Sequence, residues 1–285
     1  MIDLEAPGML KLVSERIKTD IDKYCVTKFD NGHRSHLGAS LIGNPCSRQA
    51  WFTFRWIHHT AHSGRLYRLF NRGHLEEPRF VDYLKGIGFE VSEFSHNGQQ
   101  YHYGSVKGHY GGSLDGKANF PEEYQIPIRI LLEFKTSGTG PKFNKLVKDG
   151  VILTKPVHYA QMSTYGWKFE LTHALYMCVN KNDDDLHVEM VKLNWKLGEQ
   201  MEKKAELIIN SQTMPARISE SPAFFECKYC DFLQHCFYGA KADFNCRSCV
   251  CASPVENSAW NCSRWNTVIP KEYIAKGCEQ WKSII

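Results

Sequence analysis

Two acids and a lysine set the chemistry. Asp115 ends a glycine-rich stretch, YHYGSVKGHYGGSLD, and Glu133-Phe134-Lys135 begins eighteen residues later. The segment IRILLEFK (128–135) has the apolar character of a buried strand. Side chains alternate faces along a strand, so Glu133 and Lys135 share one face while Leu132 and Phe134 take the other. Burying two charges for structure alone is unfavourable unless they are paired and hydrogen-bonded. A catalytic role accounts for them. Asp115 and Glu133 offer hard oxygen ligands for one or two Mg2+ or Mn2+ ions. Such ions activate water and stabilise a pentavalent phosphate. Lys135 would position that water or offset developing negative charge. The alternative is an ion pair on a sheet edge, and Glu-x-Lys alone does not separate the two.

Cysteine supplies the second chemistry. Of eleven cysteines, Cys25, Cys46 and Cys178 are scattered and eight lie between Cys227 and Cys278. The N-terminus, MIDLEAPGML, lacks a basic-then-apolar signal pattern, so the expectation is a cytoplasmic protein whose thiols serve metals rather than disulfides. Cys227-x2-Cys230-x5-Cys236 reads as a metal or cluster site one ligand short of a four-iron cluster. Cys246-x2-Cys249-x12-Cys262-x15-Cys278 suits a tetrahedral structural Zn2+, with Cys251 as the alternative to Cys249. Four thiolates leave no open position, so this zinc is not catalytic. Cys25 and Cys178 read as ordinary buried thiols.

The surrounding chain must position these groups. Its 42% hydrophobic and 23% charged residues, with a net charge of +4, are those of a globular protein. No apolar run approaches the roughly 20 residues that span a bilayer. Between His33 and Arg79 there are seven arginines, no lysine and two acids, interleaved with aromatic residues. Arginine binds phosphate bidentately and stacks on rings. This stretch is therefore either a nucleic-acid surface using Arg48, Arg55 and Arg72, or an aromatic core with a solvated arginine face. A basic, glycine-containing loop with Lys142, Lys145, Lys148 and Lys155 is the second candidate for gripping phosphates.

Residues 1–34 read as a helical segment. Helices are expected in the aromatic stretch before Trp56 and over 65–86. A short strand follows in GFEVSEF, and then two strands within 101–120, where Gly111 and Gly112 permit close backbone approach. Pro156 suits the first turn of a helix. The strands HALYMCVN and LHVEMVKL form a hairpin, and an amphipathic helix runs from Asn194 to Asn210. After Pro215 the composition turns to short, metal-stapled modules rather than part of a large core. The fold class is α/β, a central mixed sheet flanked by helices. The expected divisions are 1–34, a catalytic domain over 35–240, and a Cys-rich zinc-binding tail over 241–285.

The order Asp115, then Glu133-x-Lys135, with a hairpin before and a helix after, resembles the PD-(D/E)XK nuclease superfamily and its restriction-endonuclease-like core. Gln161 and Tyr165 stand four apart on one helix face, and QMSTY is similar to the Q-x-x-x-Y motif of RecB-like nucleases, whose side chains face the active site and DNA. LFNRGHLEEPRFVDYL resembles the helix that opens this core. The resemblance covers roughly residues 35–240. It implies metal ligation by Glu77, with His74 as its alternative, and by the Phe134 carbonyl, beside Asp115 and Glu133. It also implies a 4Fe-4S cluster of the AddB type, with Cys46 joining Cys227, Cys230 and Cys236 to clamp a capping region onto the domain; Zn2+ on the same ligands is the alternative. The last forty residues are similar to small zinc-binding tails of some phage-encoded proteins. The implied activity is a RecB-like DNA exonuclease in recombination, repair or phage DNA metabolism, in the host cytoplasm if phage-encoded, with a helicase or annealing protein as partner. The alternatives are a structure-specific endonuclease on the same core and a non-catalytic nucleic-acid-binding protein. A redox or radical iron–sulfur enzyme is supported by cysteine number alone, and the spacing differs from C-x3-C-x2-C.

Overall fold

The computed structural model describes residues 4–138 and 140–285. Helix α1 (Met9–Phe29) packs along α4 (Gly64–Gly86), and between them in sequence come β1 (Leu37–Gly38), α2 (Ala39–Ile42) and α3 (Ser47–Phe54). Ser63 caps α4 by accepting the amide of Leu66 at 3.3 Å, and the helix continues through Pro78. The chain then forms β2 (Glu90–Ser92), β3 (His102–Ser105), β4 (Tyr110–Ser113), β5 (Gly116–Asn119) and β6 (Arg129–Ser137). Helices α5 (Gly140–Thr154) and α6 (Pro156–Lys168) cross over to β7 (His173–Asn180), which turns back as β8 (Leu186–Lys192) and leads into α7 (Trp195–Asn210).

The main sheet has five strands in the order β2-β5-β6-β7-β8. The β6–β7 pair is parallel and the rest are antiparallel, so the sheet is mixed. A parallel pair needs a long crossover, which α5 and α6 supply. Alternation sorts β6 between two layers. Ile130, Leu132 and Phe134 pack with Leu175, Met177 and Val179 against Phe80, Val81 and Leu84 of α4. On the opposite face Leu131 joins Ala174 and Tyr176 in the cluster that also contains Met162 and Tyr165 of α6. Glu133 is paired with Tyr176 in register and takes this second face. A smaller sheet, β1-β4-β3, lies alongside.

Two local expectations change. Residues 101–120 form three strands rather than two, and the third, β5, brings the turn containing Asp115 beside β6. The lysine-bearing segment is helix α5, not a loop. Phe143, Leu146 and Val151 are buried along it while Lys142, Lys145 and Lys148 face outward. Gly150, at φ 76°, breaks the helical path and so obscures the period.

The C-terminal segment carries α8 (Phe225–Lys228), α9 (Leu233–Phe237), a three-stranded sheet of β9 (Ala252–Pro254), β10 (Trp260–Cys262) and β11 (Thr267–Ile269), and α10 (Lys271–Ile274). Ala252, Trp260, Ile269 and Ile274 belong to the same apolar cluster as Trp51, Phe54 and Tyr110. The tail is thus joined to the main core by burial, contrary to the expectation of modules outside a large core. Its strands are three residues each, too short to show a period. Among the described residues no helix is long and apolar enough to cross a membrane.

Candidate active site

Asp115 sits in the turn between β4 and β5. Its Oδ2 accepts the Phe134 amide at 2.7 Å, which ties that turn to β6. Glu133 is 1% exposed. Its Oε1 forms an ion pair with Lys135 Nζ but has no hydrogen-bond donor of good geometry. Its Oε2 accepts from Gln161 Nε2 at 3.4 Å, and the same nitrogen lies 3.5 Å from the Tyr165 hydroxyl. Lys135 Nζ also donates to the Phe134 carbonyl at 3.1 Å, so that carbonyl points to the same spot. Glu77 approaches from α4, half-buried, with Oε1 3.2 Å from Nδ1 of the exposed His74. The structure thus brings Asp115, Glu133, Lys135, Gln161 and Tyr165 together, with Glu77 at the margin.

Local sequence explains the placement. Pro156 occupies the first turn of α6, where its missing N–H is no loss. One turn of α6 separates Gln161 from Tyr165, and both are buried. Gly112 on β4 makes room for the tyrosine: a Cβ there would stand 2.5 Å from the Tyr165 hydroxyl.

The electrostatics are those of acids short of a counter-ion. Burial raises the Glu133 carboxyl to about 7, and Asp115 and Glu77 push it the same way against Lys135. Burial also raises Asp115, opposed by Lys135 and the Phe134 amide. Glu77 is raised by burial and by Asp115. Burial would lower Lys135, but Glu133, Asp115 and Glu77 hold it above its ordinary value. One ammonium therefore serves three carboxylates, and a divalent cation suits the remainder. Among the described residues no three Cys, His, Asp or Glu side chains converge closely enough to hold a metal ion.

Cys46, Cys227, Cys230 and Cys236 line one cavity, walled by Phe52 and Phe232. Arg48 Nη1 reaches Cys236 Sγ at 3.6 Å, and Arg217 Nη2 donates to the Cys236 carbonyl at 2.7 Å. Burial raises the Cys227 and Cys230 thiols, and Cys46 and Cys236 add to it. The four cysteines thus line one space with Arg48 and Arg217 beside Cys236, without three of them converging as closely as a metal site requires. In the second set, burial first and then Cys278, Cys249 and Cys262 push the Cys246 thiol up to about 11. Cys249 therefore acts electrostatically on Cys246.

The candidate phosphate contacts divide. Lys142 and Lys145 are exposed on α5, and Arg72 is exposed on α4, where it donates to the Lys181 carbonyl at 3.1 Å. Arg55 is withdrawn from any nucleic-acid surface. It is 0% exposed and donates to the carbonyls of Cys249 at 2.8 Å and Ala252 at 3.0 Å. Arg48 is likewise turned inward, to the Pro215 carbonyl at 2.7 Å and to Cys236. Sequence reasoning missed the placement of Arg217 and Arg247 beside the cysteine sets. Their adjacency to Cys-rich motifs was the available signal.

No family model matches the chain, and no curated protein matches it. Among solved structures, the chain is similar to the protein SSO0001, with TM-score 0.45 and 16% identity over 78% of this chain and 96% of that one. It is similar to an alkaline exonuclease from Laribacter hongkongensis, with TM-score 0.43 and 14% identity over 65% of this chain and 90% of that one. The same exonuclease in complex with dAMP gives TM-score 0.39 and 16% identity, over 61% and 86%.

Proposed function

We propose that this chain is a metal-dependent DNA nuclease, a RecB-like exonuclease hydrolysing phosphodiester bonds. The observation that carries this reading is the buried Glu133 held between Lys135 and Gln161, with Asp115 tied to the next peptide. A charged constellation inside an apolar layer has no structural use that matches its desolvation. Asp115 and Glu133 would hold Mg2+ or Mn2+, with Glu77 and the Phe134 carbonyl at the edge. The ion supplies an activated water and Lewis acidity at the phosphate. Lys135 offsets negative charge developing at the phosphate or attacking oxygen. Gln161 fixes the Glu133 carboxylate, and Tyr165 packs beneath it. Lys142, Lys145 and Arg72 track phosphates.

In the same reading, Cys46, Cys227, Cys230 and Cys236 hold a 4Fe-4S cluster, supported by their shared cavity. Cys246, Cys249, Cys262 and Cys278 hold structural Zn2+, supported by their mutual influence on Cys246. The protein works on DNA in the cytoplasm beside a helicase or annealing protein. Its catalytic unit comprises residues 35–240, preceded by a helical segment at 1–34 and followed by the zinc tail at 241–285.

The test uses end-labelled linear DNA and covalently closed circles, with Mg2+ or Mn2+. Linear DNA is degraded and circles are spared, because an exonuclease needs an end. Glu133→Gln and Lys135→Ala each lose roughly 100-fold or more in rate while keeping the native circular-dichroism spectrum. Full activity in both variants would overturn the site assignment. Cleavage of circles would convert it to an endonuclease.

A further inference from the structure

The polar row that holds Glu133 and Lys135 continues sideways across the sheet. Glu133 stands opposite Tyr176 of β7, which stands opposite Glu189 of β8. Lys135 stands opposite Cys178, which stands opposite His187. Cross-strand partners share a face, so all six point toward the layer that contains α6. His158 enters this row from α6, three residues before Gln161 and so on the same side of the helix. Its Nδ1 lies 3.0 Å from the Tyr176 hydroxyl, with the two rings 6.0 Å apart and inclined by 32°. Glu189 is engaged elsewhere: its Oε2 accepts the Val151 amide at 2.9 Å and lies 3.0 Å from His187 Nε2. Among the described residues His158 Nε2 has no hydrogen-bond partner, yet it is not sealed in the core.

The Tyr176 hydroxyl assigns the imidazole tautomer. A phenol carries one proton, and Nδ1 is the acceptor placed for it. The ring proton then belongs on Nε2, which becomes a donor with no acceptor in the chain. The surroundings of that donor select an anion. Burial first, and then Lys135 and Lys155, hold the ring below its ordinary value, so a neutral N–H donor has two ammonium groups near it. Lys155 precedes α6 as its N-cap residue and forms no ion pair among the described residues. The acids of the row have their own partners: Glu133 has Lys135 and Gln161, Asp115 has the Phe134 amide, and Glu189 has the Val151 amide. An N–H donor and an unpaired ammonium beside Lys135 suit a phosphate diester oxygen.

Resting on the nuclease reading above, we infer that His158, through Nε2–H, and Lys155 bind a backbone phosphate of the DNA strand that lies across Lys135. This phosphate is held and not attacked, and neither side chain exchanges a proton in the reaction. Tyr176 is a positioning residue, because it fixes the imidazole and touches no substrate.

Steady-state cleavage of a short linear DNA by the full-length chain with Mn2+ tests this. His158→Ala and Lys155→Ala are each expected to raise KM roughly 10-fold, the loss of one hydrogen bond to a charged group. Each leaves kcat within about twofold, because the contact is the same in ground and transition states. His158→Gln puts an amide N–H2 where Nε2–H stood and recovers most of the loss. Tyr176→Phe raises KM in wild type but adds nothing to His158→Ala, since the hydroxyl acts through the ring. A merely structural role would lower kcat or melting temperature instead, and His158→Gln would not restore it. Unchanged KM in folded His158→Ala overturns the inference. Should the variants fail to fold, nitrogen NMR of the wild-type histidines decides. A proton on His158 Nε2 that shifts when the same DNA is added without metal supports the contact. A proton on Nδ1, or an Nε2–H indifferent to DNA, overturns it. A wild-type chain that binds this DNA and cuts none overturns the nuclease reading, and the NMR response, which needs no cleavage, still reads the His158 contact separately.

Discussion

At the scale of single residues, the site is organised around Glu133, a carboxyl group whose charge is opposed by burial and by two neighbouring acids and favoured by Lys135. Burial first, and then Asp115 and Glu77, push the Glu133 carboxyl up from its ordinary value of 4.5 to about 7. The folded state therefore binds this proton more tightly than the unfolded chain. That stabilisation is full below about pH 4.5 and is lost as pH rises through about 7. Two histidines act in the opposite sense. His158 is held down to about 3 by burial and by Lys135, and His33 to about 4 by burial and by His59. They favour the fold above about pH 6.5 and cease to as acid is added. The informative quantity is the difference between wild type and Glu133→Gln. In metal-free protein, wild type should lose melting temperature relative to that variant between about pH 5 and pH 8. Saturating Mn2+ should raise the wild-type melting temperature more at the higher pH. Parallel profiles from scanning fluorimetry would place the Glu133 charge elsewhere. A second residue-scale consequence concerns Gly112. A methyl group there would meet the Tyr165 hydroxyl at 2.5 Å and the ring edge at 3.2 Å. Gly112→Ala should reduce nuclease rate several-fold, and Tyr165→Phe added to it should recover part of that loss by removing the nearer clash. Strictly multiplicative effects of the two changes would mean that they do not meet.

At the scale of elements, what could be seen in the chain depended on how locally each pattern was written. β6, α6, β7, β8 and α7 carry their periods within their own residues, and each forms as expected. The pairing of Asp115 with Glu133-x-Lys135 was legible because one strand and one turn place them. α5 was hidden because Gly140 and Pro141 open it and Gly150 interrupts it. The arginine stretch was legible only in part. Burial of Arg55 is decided by Cys249 and Ala252, whose positions lie 194 and 197 residues further on, and no local pattern reports a contact at that distance. This sorting yields a contrast in salt dependence. Lys142, Lys145 and Lys148 lie on the exposed face of α5, whereas Arg55 does not reach solvent. Each lysine changed to alanine should weaken DNA binding across sequences and lower the slope of log K against log salt by about 1. Arg55→Met should leave that slope unchanged. Fluorescence anisotropy at several salt concentrations measures both, and an altered slope for Arg55→Met would return that residue to the DNA surface.

At the scale of the molecule, one short helix links both cysteine sets, and the chain just before it packs against the helix that carries Gln161 and Tyr165. α3 begins at Cys46, its N-cap, and ends at Arg55, its C-cap. Phe52 meets Phe232 at 5.3 Å on the side of the first set, and Phe54 meets Trp260 at 5.3 Å on the side of the second. The chain before Cys46 is pinned just as tightly. Asn44 Oδ1 accepts the Cys46 amide at 2.9 Å, and Lys204 of α7 donates to the Ile42 carbonyl at 2.8 Å. Gly43 lies so close to α6 that a Cβ there would come within 2.8 Å of Val157 Cα. Val157 is one turn before Gln161. A clamp closing between residue 46 and residues 227–236 would therefore hold more than the tail, because it removes freedom from a loop spanning most of the chain. Cys46→Ser should lose metal from the first set, melt at a lower temperature and lose nuclease rate. The distribution of the loosening distinguishes a clamp on the site from a local staple. Hydrogen exchange should accelerate in α2 and in the first turns of α6 as well as around 215–240, while β6 and β7, buried between two layers, should keep their protection. Acceleration confined to 215–240, with normal activity, would mean that the first cysteine set holds only its own neighbourhood and that Gln161 and Tyr165 are positioned by the sheet alone.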